Sequence, residues 1–362
     1  MLNAGEIFER IDVTKYSLKK LVLVPLLILL LALAVLGYSQ FSTGSPVKLS
    51  MDFTGGTVVK VQTAEEEHAL KAIFADFPLK SVRDFSEPSG ATGKMLIFGP
   101  MSKAEKERLN KTLYEHFGDA YEIPRDISGV VGKRYLEQAI TAVLVAFLMM
   151  AIVVLFVFKT PVPSFAVVLS AFSDIVIATA CMNIVGMELS LGTIAALLML
   201  IGYSVDSDIL LTTKILRGRG ELNEKVRSAM KTGLTMTATT IAAVFAMFFV
   251  ASVLPLASPF PPIPMLRDIS AVLLFGLFAD LMNTWMLNAG ILRWYVAWKE
   301  RKSAERLVKK AKKPTTTTFV TDARKKMTRR ERKAAGTSTK TKSRKHNAGA
   351  GSGGAKGGKK RK

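Results

Sequence analysis

Six long runs of apolar residues divide the chain, and each is long enough to cross a bilayer. A helix needs about 20 apolar residues to span about 30 Å of hydrocarbon. The first run has no small-residue cleavage site of the usual kind, so it predicts a retained helix and not a signal peptide. We therefore expect an α-helical membrane protein with spans at Leu21–Phe41, Glu137–Phe158, Val162–Val185, Ser190–Thr213, Gly233–Leu254 and Ile269–Ala297.

The segment 42–131, between the first two spans, has the pattern of a small soluble domain. Short strand-like runs alternate with two stretches of helical spacing. Ser102 followed by Glu105 predicts a capping box at the start of the second helix. The order βαββαβ predicts an α+β domain of the ferredoxin-like type. The expected strands are Val58–Val61 (with a lead from Met51), Ser81–Phe85, Met95–Phe98 and Tyr121–Ile127, and the expected helices are Glu65–Phe77 and Ser102–Phe117.

Basic residues near the spans set the predicted orientation. The connection between the fourth and fifth spans carries six Lys and Arg residues within 214–231, whereas the connection between the third and fourth carries only Glu188. Since cytoplasmic loops are enriched in Lys and Arg, we expect both chain termini in the cytoplasm and the 42–131 domain outside, in a multi-pass protein of the cell membrane. We also expect the amphipathic stretch Glu221–Lys231 to lie on the inner membrane surface.

Composition separates a nearly neutral body from a strongly basic tail. The chain has 362 residues, 49% of them hydrophobic, and a net charge of +21. From Lys299 onward there are 24 Lys and Arg residues and only 4 Asp and Glu, so nearly all of the net charge lies there. The composition of Ala348–Gly358 cannot form a buried core, so we predict that this segment is disordered. The predicted divisions are a cytoplasmic N-terminus (1–20), span 1 (21–41), the external domain (42–131), spans 2–6 (132–298) and the basic tail (299–362).

Four acidic side chains fall inside the predicted spans, where they are costly. A carboxylate in hydrocarbon costs about 2.5–3.5 kcal/mol on insertion scales. Asp206 and Asp208, in the fourth span, lie about 200° apart around a helix. We therefore expect one to point into the bundle and the other towards a partner or a water-filled path. Asp174 and Asp280 fall near the middle of the third and sixth spans.

Two interpretations of these carboxyl groups stay open. The functional one is proton or ion coupling, or a polar seam with a partner subunit. The structural one is a set of neutral, hydrogen-bonded packing residues, with candidate partners at Asn183, Asn283, Thr239 and Thr240. Lys214 lies two turns beyond Asp206 on nearly the same face, and its simpler interpretation is a snorkelling side chain at the helix end, not a relay member.

No pattern in the sequence indicates an enzyme. There is no P-loop, no metal-ligand cluster and no nucleophile–base arrangement, and the three histidines lie outside the predicted spans. The single cysteine, Cys181, lies in an apolar run, so an intramolecular disulfide is excluded. We predict no covalent chemistry, no metal site and no cofactor.

Two short motifs carry a resemblance to a known family. The stretch Asp52-Phe53-Thr54-Gly55-Gly56-Thr57 resembles the Asp-Phe-Thr-Gly-Gly-Thr signature of the SecF family, the smaller half of the SecD/SecF protein-export complex. The span 4 sequence around Gly202, Tyr203, Ser204 and Ser207 resembles a second motif of that family. Six spans with one external domain match its layout, and the resemblance extends over residues 10–300.

The chain departs from the bacterial pattern of this family at four places. They are Ser207 in place of a strict Asp, Ser173 in place of the His of a His-Asp pair, Thr232 (beside Lys231) in place of an arginine near the start of span 5, and Asp280, which bacterial members lack. These differences resemble the archaeal type. They argue against a direct transfer of the bacterial proton pathway to this chain.

The resemblance implies an accessory subunit of protein translocation. SecF proteins belong to the RND superfamily and act with SecD beside the SecYEG channel, using the proton gradient to draw the exported polypeptide outward. It therefore implies SecD, SecYEG, the exported chain and membrane lipid as partners, with Asp206 and Asp208, then Asp174 and Asp280, as ion-coupling candidates. Two alternatives stay open: an RND-type small-molecule or lipid exporter subunit, for which the 90 residues of 42–131 offer little room, and a passive scaffold for SecD without ion coupling.

The basic tail has two candidate partners. Anionic lipid would attract it by about 1 kcal/mol per basic residue near the surface. Ribosomal RNA would bind it through phosphate contacts that weaken steeply with salt. Phe319 is the only aromatic residue of the tail, so base stacking would add little selectivity.

Overall fold

The computed structural model describes residues 16–86, 92–122, 124–253, 263–311, 325–329 and 331. Within these residues the protein is mostly helical, with one small antiparallel sheet. The contacts divide the chain into a large unit, 1–300, and a second unit, 301–362. The proline-rich connection at 255–262 and the stretch predicted to be disordered, Ala348–Gly358, lie outside the described residues.

The helices follow the predicted apolar runs. The bounds are α1 Leu18–Thr43, α2 Met51–Thr54, α3 Glu67–Ile73, α4 Lys103–Phe117, α5 Gly129–Phe158, α6 Pro161–Val185, α7 Leu191–Arg217, α8 Leu222–Ser252, α9 Pro264–Met282 and α10 Ala289–Ala311. The strands are β1 Gly56–Val61, β2 Leu79–Ser86, β3 Thr92–Phe98 and β4 Arg125–Ile127. Among the described residues, five helices (α1, α5, α6, α7 and α8) are long and apolar enough to cross a membrane.

The fifth and sixth predicted spans differ from the helices that form. The fifth is longer than predicted: α8 is helical from Leu222 onward, so it includes the charged stretch predicted to lie on the inner membrane surface. The sixth predicted span, Ile269–Ala297, is shared between α9, a π-helical turn at Asn283–Asn288 and α10. The π turn widens the helix in the middle of this run without ending it, and it places polar side chains there.

The four strands form one antiparallel sheet in the order β2-β3-β1-β4. The elements follow one another as predicted, and Ser102 and Glu105 form the predicted capping box at the start of α4. The last strand is shorter than predicted, since β4 covers only 125–127 and Tyr121 makes an isolated bridge to Val61. The predicted strand lead at Met51 is wrong: those residues form α2, a helical turn capped by Ser50.

The core of the sheet domain lies between one face of the sheet and the helices α3 and α4. Val59, Leu96 and Phe98 alternate with more exposed positions along the strands, so they all face the helices. Rings from both layers meet there, with Phe74 packed edge-on to Phe98 at 5.5 Å between centroids. The domain therefore has a closed apolar core of its own.

The helices of the bundle are arranged around α6, α7 and α9. These three are the most buried, whereas α5 leaves large apolar side chains such as Leu148 and Phe156 exposed along its length, as a lipid-facing helix does. α9 approaches α7 closely, because Gly276 faces Leu200 and a side chain at 276 would collide with it. The same three elements supply the polar centre described next.

Candidate functional site

Three carboxyl groups lie in the centre of the bundle. Asp174 comes from α6, Asp208 from α7 and Asp280 from α9, and their side chains are 0%, 0% and 1% exposed. Thr284 lies within hydrogen-bond distance of both Asp208 and Asp280. Asn283, the residue before Thr284, contacts Asp174. We call Asp174, Asp208, Asp280 and their hydrogen-bond partners the carboxyl cluster.

Asp174 is held by two neutral donors from different helices. The hydroxyl of Ser204, on α7, donates to Oδ2 at 2.6 Å. The amide nitrogen of Asn283, in the π turn, donates to Oδ1 at 2.6 Å. Asp174 therefore joins three elements of the bundle through one side chain.

Asp208 and Asp280 share a single hydroxyl group. The Thr284 oxygen lies 2.9 Å from Oδ1 of Asp208 and 3.1 Å from Oδ1 of Asp280. Asn288 donates a further hydrogen bond to Oδ1 of Asp208 at 2.7 Å. Because a hydroxyl group carries one hydrogen, Thr284 donates to one carboxyl group and can only accept from the other. A proton on one of the two carboxyl groups would allow both contacts to be full hydrogen bonds.

Charge balance limits the state of the cluster as well. The hydrogen bonds of Asp174, Asp208 and Asp280 come from neutral side chains. Burying an unpaired carboxylate costs several kcal/mol, and three together would also repel one another. The carboxyl cluster must therefore be neutralised by protons or by another cation.

Several oxygen atoms around the cluster have no partner within the protein. They are Oδ2 of Asp208, Oδ1 of Asn283 and Asn288, and the hydroxyl oxygens of Ser170, Ser173 and Thr212. Such atoms are suited to accept from water or from a protonated group. Among the described residues, no three Asp, Glu, His or Cys side chains form a group that could hold a metal ion. The Thr284 oxygen lies within hydrogen-bond distance of two carboxyl groups, and oxygens so placed can exchange a proton.

The π turn explains how one helix supplies so many of these partners. Asp280, Thr284 and Asn288 follow at four-residue intervals, so they line one face of the helix. Asn283 is brought to Asp174 on α6 by the same turn. Single π turns inside α-helices often occur at functional sites, since the extra residue shifts the side chains that follow it.

The two carboxyl groups of span 4 have different surroundings, as their spacing predicts. Asp208 points into the cluster, whereas Asp206 is exposed on the outer face of α7. Gly202 and Tyr203 are exposed on the same outer face, while Ser204 and Ser207 are buried. Within the motif, Ser204 thus serves the cluster, and Gly202, Tyr203 and Asp206 face away from the bundle.

The other predicted partners have mixed outcomes. Asn283 contacts the carboxyl cluster as expected. Thr239 and Thr240 instead donate to the carbonyl oxygen of Met236 in their own helix, so their assignment as partners is wrong. Lys214 does not simply reach out to solvent: its ammonium group donates to Thr232 at 2.8 Å and ties the end of α7 to α8.

The signature stretch Asp52 to Thr57 lies apart from the cluster, at the other end of α7. Asp52, Phe53 and Thr54 form most of α2, and Gly55 and Gly56 take positive φ angles of 72° and 150°. Thr57 is the second residue of β1, and its hydroxyl donates to Asp126 of β4. The two glycines are required by backbone geometry, because other residues rarely adopt these angles.

Sequence reasoning missed two members of the cluster. Thr284 lies four residues after Asp280, and Asn288 four after Thr284. A polar residue on the same helical face as an intramembrane carboxyl group was the signal that could have found them.

Long apolar helices that enclose buried carboxyl groups define the class: this is a multi-pass membrane protein with an ionisable centre. The family model described as protein export membrane protein SecD/SecF, C-terminal, matches residues 110–298. The chain belongs to the SecF family of protein-export membrane proteins.

Relatives in several archaea support this assignment. The chain is 46% identical over 287 residues to the protein-export membrane protein SecF of Methanolacinia petrolearia, covering 79% of this chain and 96% of that protein. It is 44% identical over 285 residues to SecF of Haloferax volcanii, covering 79% and 95%. The family of the chain thus agrees with the resemblance of its two motifs.

A solved structure supports the fold. The crystal structure of SecDF, a translocon-associated membrane protein from Thermus thermophilus, matches with a TM-score of 0.57 at 22% identity. The match covers 78% of this chain but only 38% of that longer chain. At this identity the likeness concerns the fold alone.

Proposed function

We propose that this chain is an accessory subunit of the Sec translocation machinery, which acts with SecD beside the SecYEG channel and uses the proton gradient to promote export. The family supports the export role. The observation that carries the proton step is the hydroxyl of Thr284 shared between Asp208 and Asp280 in a cluster without a basic donor. Such a centre changes its charge and its hydrogen bonds together.

The proposed cycle follows from this geometry. When a proton enters at Asp208 or Asp280, Thr284 redirects its hydrogen bond to the other carboxyl group, and the contacts between α7 and the π turn change. Moving one charge through the membrane field is worth about 2.3 kcal/mol per 100 mV. That energy can shift a two-state equilibrium by more than tenfold. The exported polypeptide would be drawn outward by the accompanying movement of the sheet domain.

The topology belongs to the same proposal. We take the run from α9 through the π turn to α10 as a sixth crossing, which places both termini in the cytoplasm and the domain 42–131, of ferredoxin-like type, outside. The antiparallel order β2-β3-β1-β4 with two helices on one face supports the domain type. Cysteines placed singly at Glu107 and Lys225, in a Cys181→Ala background, should be labelled by an impermeant reagent from outside and from inside respectively. The opposite pattern would contradict the orientation.

SecD is proposed to cover the exposed face of α7. Gly202, Tyr203 and Asp206 lie on that face, and a carboxyl group facing lipid is costly. In mild detergent the chain should be recovered from native membranes with a second multi-span subunit, and Asp206→Asn should lower that recovery. Recovery of an active monomer alone would contradict the docking proposal.

The decisive experiment compares aspartate variants in a gradient-dependent export assay. Asp208→Asn and Asp280→Asn should each reduce export about tenfold or more, since they remove a proton site while preserving shape. Asp174→Asn should also reduce export, because Asp174 shares the cluster. Asp76→Asn makes the same substitution at an exposed position of the sheet domain, away from the cluster and the docking face, and should leave export unchanged. Normal export in a variant that carries all three substitutions, at Asp174, Asp208 and Asp280, would support a passive scaffold instead.

The tail is proposed to bind either anionic lipid or the ribosome through its basic residues. The full chain should bind ribosomes with an affinity that falls steeply with salt. A shortened chain that ends at Pro314 lacks most of these basic residues and should lose that binding. If the full chain binds anionic vesicles but does not bind ribosomes at low salt, the ribosome proposal is contradicted and anionic lipid is the partner of the tail.

A further inference from the structure

The signature residue Asp52 contacts the helix that carries the carboxyl cluster. Its Oδ2 accepts a hydrogen bond from the backbone N–H of Leu191 at 3.2 Å. Leu191 is the first residue of α7, whose later turns hold Ser204 and Asp208. The first N–H groups of a helix have no partner inside the helix and favour a negative charge. Asp52 therefore reaches from the start of the sheet domain to the end of a cluster-bearing helix.

Backbone contacts bind the same two segments together. The N–H of Leu189 donates to the carbonyl of Lys48 at 2.7 Å, and the N–H of Ser50 donates to the carbonyl of Leu189 at 2.9 Å. The residues that precede α7 therefore pair with the residues that precede α2. Together with the Asp52 contact these make three hydrogen bonds in sequence, and Arg83 of β2 adds an ion pair to Glu188 at 3.5 Å.

Phe53 adds an apolar anchor at the same place. Its ring is 3% exposed and packs in one cluster with Ala139 of α5 and Ile194 of α7. Gly132 allows this approach, because a Cβ at 132 would collide with the carbonyl of Phe53. The turn α2 is therefore seated between the starts of α5 and α7.

The chain passes from this seat into the sheet without a spacer. α2 ends at Thr54, and β1 begins at Gly56. A Cβ at Gly55 would meet the backbone of Gly129 at the start of α5, so the passage is tightly confined. A displacement of α2 must consequently be passed to β1, the strand that pairs with both β3 and β4.

We propose that Asp52 is a positioning residue that fixes the first turn of α7 to the sheet domain, so that a shift of α7 moves the domain. The cluster is about 26 Å along α7 from Leu191 to Asp208, at 1.5 Å per residue, and a helix transmits an axial shift over that length as a stiff rod. The link from cluster to domain rests on the proposed function. The joint itself rests only on the contacts of Asp52, Phe53 and Leu189.

The joint can be tested by measuring distances in the purified full chain. Spin labels at Glu107 in α4 and Ile184 at the end of α6, both exposed, report the position of the domain relative to the bundle in a Cys181→Ala background. Asp52→Ala should increase the fraction of molecules at displaced distances about fivefold, the factor that corresponds to loss of one capping interaction. Asp52→Asn keeps an oxygen acceptor and should restore most of the wild-type distribution.

Two controls separate the joint from general damage. Asp76→Ala makes the same substitution at an exposed position of the sheet domain and should leave the distribution unchanged. Ser190→Ala removes the N-cap side chain of α7 itself, which bonds within the helix end and not to the domain. If Ser190→Ala broadens the distribution as much as Asp52→Ala, fraying of α7 explains the effect and the positioning role is overturned.

The outcomes distinguish this inference from the proposed function. A wild-type distribution in Asp52→Ala overturns the joint, whatever the export assay gives. Should Asp52→Ala not yield folded protein, Asp52→Ser, whose shorter side chain cannot span the gap to Leu191, replaces it with the same expected broadening. Normal export in the cluster variants would overturn the proton proposal and leave the distance result standing. With both proposals correct, Asp52→Ala should lower export several-fold while Asp52→Asn retains it.

Discussion

The sheet domain and the helical bundle bury opposite kinds of side chain. The core of the sheet domain is apolar, and Thr57 is the one buried polar side chain described within the sheet. The bundle, in contrast, has many polar side chains that are almost fully buried. They are Ser164, Ser170, Ser173, Asp174, Thr193, Ser204, Ser207, Asp208, Thr212, Thr237, Ser270, Asp280, Asn283, Thr284 and Asn288.

The difference follows from the surroundings of each region. A domain in water gains stability by removing apolar surface from solvent, so its core is apolar. Helices in lipid gain little in that way, and they associate through close packing and hydrogen bonds between polar side chains. The bundle can therefore hold a polar, ionisable centre, while the sheet domain is suited to move as one rigid body.

The largest expected effect is the loss of stability when the apolar core of the sheet domain is disrupted. Phe98→Ala removes a fully buried ring of the sheet-domain core, so the free energy of unfolding of that domain should fall by about 3–5 kcal/mol. Limited proteolysis of the full chain across a denaturant series would measure the loss. Tyr114→Ala on the exposed side of α4 is the control and should change stability by less than about 0.5 kcal/mol. Equal effects would contradict the assigned core.

The next effect tests how the bundle packs. Gly276→Ala places a methyl group against Leu200 between α9 and α7, and it should destabilise the bundle by about 1–3 kcal/mol. Gly202→Ala, on the exposed face of α7, meets open space and should be neutral or stabilising by up to about 1 kcal/mol in the isolated chain. Thermal unfolding in detergent compares the two. A loss of partner recovery in Gly202→Ala alone would sharpen the docking proposal for that face.

The smallest effect concerns the charge of the sheet domain. Partial burial raises the pKa of Asp126, but hydrogen bonds from Lys106 and Thr57 outweigh it, so the pKa lies below the ordinary aspartate value of 3.8. A lowered pKa contributes stability that is fully present above about pH 4 and is lost as the pH falls through the folded-state value. Because Asp126 is partly exposed, Asp126→Asn should cost less than about 1 kcal/mol at neutral pH.

The stability of the sheet domain at acidic pH tests this small effect. In the wild type, protection of β1 and β4 against hydrogen exchange should decline below about pH 4, and Asp126→Asn should remove that part of the decline. Asp76→Asn, at an exposed position, is the matched control. An identical acid response in the Asp126 and Asp76 variants would show that the Lys106 and Thr57 contacts contribute nothing.

The apolar helices and the order of the sheet-domain elements were predictable from sequence. Runs of about 20 apolar residues and a capping box at Ser102 are local signals, and the helices α1, α6 and α7 begin or end within a few residues of the predicted bounds. The turn α2 was not predictable in this way. Its residues suit an extended lead by pattern, but the seat between α5 and α7 and the cap from Ser50 favour a helical turn.

The site was predictable only in part. The spacing of Asp206 and Asp208 fixes the angle between them, but it does not decide which one faces inward; the packing of α7 against α6 and α9 decides that. The spacing of Thr284 and Asn288 from Asp280 marks them as polar residues on its face. The sequence contains no distinct pattern for the π turn, however, so their contact with Asp208 on another helix could not be foreseen. Likewise, no local signal connects Asp52 to Leu191, which lies 139 residues further along the chain.

The central claim is that Asp208 and Asp280 share a proton through Thr284, and infrared difference spectroscopy of the purified chain tests it most directly. At neutral pH the wild type should show the carbonyl band of a protonated carboxyl group in a buried environment. Asp208→Asn or Asp280→Asn should remove or shift that band, and Asp206→Asn should leave it unchanged. Absence of the band in the wild type, or its loss in Asp206→Asn alone, would contradict the account.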